Sequence, residues 1–86
     1  MSMIQKELKI LNRLGLHARP AAQIAQTASG FASEIELTKD NVTINAKSIM
    51  GVMMLSMVED ETVTIVCTGE DEAEAMEGVI AVLSSK

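Results

Sequence analysis

The 86-residue sequence contains no tryptophan or tyrosine, one phenylalanine (Phe31), one cysteine (Cys67), one proline (Pro20) and one histidine (His17). Each scarcity excludes something. With almost no aromatic side chains there is no platform on which nucleic-acid bases stack, and a formal net charge of −5 leaves no basic face for a phosphate backbone. Nucleic acid is not an expected partner. A single cysteine cannot close an intrachain disulfide, and Cys67 stands in an alternating apolar run, which predicts a buried thiol and suits a reducing compartment. No apolar stretch approaches the roughly 18 residues of a membrane span, and the opening MSMIQKELK lacks a signal-peptide hydrophobic region. A cytoplasmic protein without membrane insertion is expected. One histidine with no adjacent cysteine or carboxylate cluster offers no metal-ligand set, and no cofactor motif accompanies it.

The length suits one domain over residues 1–86, with no linker, repeat or low-complexity tract. Seven of the twelve acidic residues lie between Glu59 and Glu74, whereas Arg13, Arg19 and Lys47 all precede that stretch. Periodicity predicts a mixed α and β chain. Ile4, Leu8 and Ile10 alternate as a first strand, with Lys6 misplaced on its apolar side. Residues 19–29 form a helix that Gly30 stops as C′ residue. Ile35 and Leu37, then Val42 and Ile44, form a hairpin around Lys39, Asp40 and Asn41. Ser48 to about Leu55 is a short helix. Thr62 to Thr68 is a strand with Val63, Ile65 and Cys67 on one face. Glu70 to Leu83 is a last helix, with a capping box of Asp71 and Glu74 and a buried stripe of Ala73, Met76, Ile80 and Leu83.

The only histidine and the only proline fall together in GLHARPA, residues 15–21. Pro20 suits the first turn of a helix, so the run reads as a loop passing into a helix at about Ala18. First-turn amides have no partners within the helix, and Ala18, at the expected cap position, has no side-chain oxygen to offer them. The amides of Ala18 and Arg19, the helix dipole and the Arg19 guanidinium would form an anion site beside His17. Gly15 permits the tight approach. Imidazole, with an ordinary pKa of about 6.5, is a neutral nucleophile near neutral pH. Beside an anion site it suits a phosphoryl group passed on and off, a reaction governed by positioning and positive charge. The alternative is a surface histidine at a helix start.

In NAKSIMGVMML, residues 45–55, an eight-residue helix carries more apolar residues than one buried stripe accommodates. Val52 and Leu55, with Ile49 or Met54, face the core in this reading, leaving Met50 and Met53 exposed. Methionine suits surfaces that accept several partners; the competing reading is core filling or a homodimer contact. Ser48 reads as the N-cap. Asp60 tolerates the left-handed conformation that the turn after this helix requires.

GLHARPA followed by NAKSIMGVMML strongly resembles the HPr family, the histidine phosphocarriers of the phosphoenolpyruvate-dependent sugar phosphotransferase system (PTS). The resemblance implies an α+β open-faced sandwich of order βαββαβα, with a four-stranded antiparallel sheet in the order 1-4-2-3 and three helices on one face. It implies a carrier rather than an enzyme: a monomer that accepts a phosphoryl group from phospho-enzyme I on His17 Nδ1 and donates it to sugar-specific IIA domains. Arg19 would supply the cation, and Ile49, Met50, Met53 and Lys47 the docking surface. Ser48 would be the site of regulatory phosphorylation by an HPr kinase/phosphorylase. The chain departs from the family pattern at Gln26 and Ser29, where some homologues carry lysines, at Gly51, which replaces a larger residue, and at the acids after the second helix. Docking should therefore be more apolar and less salt-sensitive. Three alternatives stay open: a carrier in a nitrogen-related or regulatory phosphotransferase branch, an enzyme using His17 as general base, and a pure interaction module.

Overall fold

The computed structural model describes residues 3–10, 18–57 and 60–84, with backbone only at Ala18 and Arg19. The elements are β1 (Ile4–Lys9), α1 (Ala18–Ser29), β2 (Glu34–Lys39), β3 (Val42–Asn45), α2 (Ile49–Leu55), β4 (Thr62–Thr68) and α3 (Glu72–Ser84). The four strands form one antiparallel sheet in the order β1-β4-β2-β3.

Alternation sets the two faces of the sheet. Cys67 pairs with Ile35 and Ile4, Ile65 with Leu37, and Val63 with Leu8, so these side chains share a face. Ile35, Leu37, Val63, Ile65 and Cys67 are buried there, under α1, α2 and α3. Glu34, Glu36, Gln5 and Glu7 occupy the opposite, exposed face. Each fully buried aliphatic side chain contributes about 1.5–3 kcal/mol. Lys6 lies on the helix side, opposite Ile65, yet stays exposed. It is tolerated because β1 is an edge strand, where an inward charge also discourages pairing with another chain.

Several elements differ from the pattern reading, each for a local reason. Lys39 belongs to β2, because its register partner is Val42. The hairpin loop is therefore only Asp40-Asn41, at φ 50° and 67°, the left-handed pair of a type I′ turn. Gly30 does not take a left-handed C′ conformation; among the described glycines only Gly69 has positive φ. Instead α1 ends in a tightened turn in which the N–H groups of Gly30 and Phe31 donate to the Thr27 and Ala28 carbonyls. The left-handed stop occurs after α2, at Ser56 (φ 49°), and Asp60 takes the expected left-handed turn position at φ 74°.

α3 begins at Glu72 rather than Glu70, and its expected capping box is not formed. Asp71 turns toward the loop before β2, accepting from the N–H groups of Ala32 and Ser33 and from the Ser33 hydroxyl. Glu72, which is buried, accepts the Gly69 N–H at 3.1 Å and so does the reciprocal work assigned to Glu74. The buried stripe is Glu72, Ala75, Met76, Val79 and Leu83; Ala73 is exposed and Ile80 packs at the margin. Close approach governs the helix placement. A Cβ on Gly78 would sit 2.9 Å from the Phe31 ring, so Phe31 fills the space that the glycine leaves.

Candidate functional site

α1 starts at Ala18, making this residue the first of the helix rather than its cap. Pro20 therefore lies in the first turn, where its missing N–H costs no intrahelical bond. His17, Gly15 and the Arg19 side chain lie outside the described residues. Apart from the backbone of Ala18 and Arg19, the expected cluster of imidazole, guanidinium and free amides lies outside the described residues.

α2 carries the rest of the expected surface. Ser48 is its N-cap, extended at φ −103° and ψ 118°, with its hydroxyl accepting the Gly51 N–H at 3.1 Å. It is exposed. Val52 and Leu55 are buried, as the spacing predicts. The exposed pair is Met50 (73%) and Met54 (72%), not Met50 and Met53, and Ile49 adds a side chain 44% exposed. Met53 is half-buried against the core. Residues 50 and 54 are one turn apart on the same side of the helix, and that i,i+4 relation was the available signal. Gly51 lies between them on a tight approach, since a Cβ there would meet the Ile44 Cβ at 3.3 Å.

Lys47, expected as a docking cation, is half-buried, and its ammonium donates to the Phe31 carbonyl at 2.8 Å, just past the end of α1. With Ile49 it borders a shallow groove whose other side is Ala25, Gln26, Ser29 and Gly30 of the α1 end. The structure therefore unites Lys47 and Ile49 with the C-terminal half of α1. At the far end of α2, the Lys39 ammonium donates to the Ser56 carbonyl at 2.9 Å and to Glu61 at 2.8 Å. Pattern reading missed this lysine because it depends on contacts distant in sequence.

The titrating groups away from α2 belong to the architecture. Asp71 is held below the ordinary carboxylate range, first by the Ser33 hydroxyl and then by the Ala32 N–H. Burial, with the nearby charges of Glu72 and Asp71, pushes the Cys67 thiol up. Among the described residues no three His, Cys, Asp or Glu side chains come together as a possible metal site, and no helix is long and apolar enough to cross a membrane.

A family model described as "PTS HPr component phosphorylation site" matches residues 4–85. The chain belongs to the HPr family. It is 42% identical over 84 residues to the phosphocarrier protein HPr of Cupriavidus necator, covering 98% of this chain and 94% of that one. The crystal structure of HPr from Bacillus anthracis superposes with a TM-score of 0.90 at 40% identity, covering 98% of this chain and all (100%) of the other. A Bacillus subtilis catabolite repression protein, Crh, solved as a domain-swapped dimer, matches with a TM-score of 0.71 at 42% identity, over 93% and 92% of the two chains. The family makes this chain a phosphocarrier rather than an enzyme, and one whose partners are PTS proteins. Solved relatives include dimers, so the family does not fix the monomer expected from the sequence.

Proposed function

We propose that His17 is the phosphoryl acceptor and donor, receiving the group from phospho-enzyme I on Nδ1 and passing it to sugar-specific IIA domains. The observation that carries this reading is the family match across residues 4–85, because His17 is the only histidine in the chain. The start of α1 at Ala18 supports it, since first-turn amides then follow the imidazole directly. Arg19 supplies the permanent cation, and the Ala18 and Arg19 amides receive the phosphoryl oxygens. In each transfer a neutral imidazole lies in line with the phosphorus while positive groups steady the equatorial oxygens.

Docking in this reading falls to Ile49, Met50 and Met54, with Met53 and Lys47 behind them. Ser48 is the regulatory site for an HPr kinase/phosphorylase: it is exposed, and a phosphate there sets negative charge beside an apolar contact surface. The transferring form in this reading is a cytoplasmic monomer. The likeness to Crh favours a second reading, a carrier in a regulatory branch, with the same chemistry and different acceptors.

Incubation with enzyme I, phosphoenolpyruvate and magnesium should add one acid-labile phosphoryl group by intact mass, and His17→Ala should abolish it. Labelling of that variant, or none of the native chain, overturns the assignment. A panel of sugar-specific IIA domains separates the two branches: discharge to any of them supports the first, discharge to none the second.

A further inference from the structure

The thioethers of this chain divide sharply by exposure. Met50 and Met54 are 73% and 72% exposed, Met53 is half-buried, and Met57 and Met76 are buried. These two exposed methionines of α2 stand one helical turn apart beside Ile49 and Ser48, so a small reagent reaches both without disturbing the core. Met3, 58% exposed, precedes β1 at the opposite end of that strand from the segment leading to His17.

We propose that Met50 and Met54 form an oxidation site through which peroxides turn off docking of this carrier's protein partners. The inference rests on the reading of α2 as the docking surface. A thioether lone pair attacks one peroxide oxygen; the S–O bond forms as the O–O bond breaks. With hydrogen peroxide, the departing hydroxide takes the proton of the attacked oxygen, directly or through solvent, and leaves as water. Sulfur loses two electrons and the peroxide gains them. The product is a polar, chiral sulfoxide, and two of them on one helix side replace the apolar part of the surface with strong hydrogen-bond acceptors. A dithiol acting through methionine sulfoxide reductase reverses the step, yielding thioether, water and a disulfide, so the change is a switch. Cys67 does not compete, because it is fully buried and the thiolate is the reactive form.

The test treats the native chain with hydrogen peroxide, maps sulfoxides by peptide mass, and measures phosphoryl transfer from phospho-enzyme I before treatment, after it, and after reductase. Sulfoxides should appear at Met50 and Met54 ahead of Met53, Met57 and Met76. Transfer should fall at least about tenfold, since an apolar contact of two methionines is lost, and recover with reductase. In a Met50→Leu/Met54→Leu chain the ratio of treated to untreated rates should stay near one, whatever its own starting rate. Early oxidation of the buried methionines, or equal rates in oxidised and native chains, overturns the switch and leaves the carrier standing. An equal loss in the double variant also overturns it. No labelling of the untreated chain overturns the carrier reading, and the switch falls with it.

Discussion

Gly69 shows how one residue holds two distant segments together. Its φ of +151° is rarely adopted by L side chains, and a Cβ would meet the Ser33 Oγ at 2.6 Å and Cα at 2.8 Å. Gly69→Ala should therefore cost about 1–3 kcal/mol of stability in urea denaturation, through strain and displacement of the loop before β2. Asp71 binds that loop from the other side through three donors. Its folded-state pKa lies below the unfolded value, so the stabilisation is present above the ordinary carboxylate pKa of about 3.9 and is lost as pH falls through the folded value. The native chain should thus lose stability in acid more steeply than Asp71→Asn, which lacks this contribution at every pH. Denaturation midpoints followed from neutral pH into acid check it. Pattern reading placed Asp71 correctly at the start of the last helix but gave it the wrong partner. Capping patterns are local, and Ser33 lies 38 residues away.

At the scale of elements, α2 is a thin layer between core and solvent. Leu55 is buried and Met54, its neighbour in sequence, is 72% exposed. Leu55→Ala should cost about 2–5 kcal/mol, whereas Met54→Ala should change stability by less than about 0.5 kcal/mol; urea midpoints of the two variants give the comparison. All seven elements were legible in the order βαββαβα because strands of period two and helices of period 3.6 leave different apolar spacings, as in Thr62–Thr68. The face of α2 was half legible. Its apolar residues outnumber one stripe, and spacing alone does not decide that Met53 packs on the core while Met54 turns outward. The ends of α1 and α3 were misread where glycine or a capping pair was given its commonest role and a longer-range hydrogen bond took it instead.

For the whole molecule, charge and the proposed contact surface are separate. The net charge is −5, yet the exposed side chains of α2 are Ile49, Met50 and Met54, and Lys47 has an ammonium bond to Phe31. Phosphoryl transfer from enzyme I should accordingly vary by less than about threefold between low and high salt, as apolar contacts are little screened. A steep decline in kcat/KM with ionic strength would count against this. The sheet order was available only through family resemblance, since periodicity reports which face a strand buries and not which strand lies beside it. The lysines that frame α2 carry one more consequence. Lys47 fastens the chain before the helix to the end of α1, and Lys39 grips the Ser56 carbonyl after it. Both bonds hold the backbone on either side of α2, which in the proposed docking reading lowers the ordering cost of association. In the proposed docking reading, different partners would meet the same frame, with the supple thioethers of Met50 and Met54 absorbing the differences in their shapes.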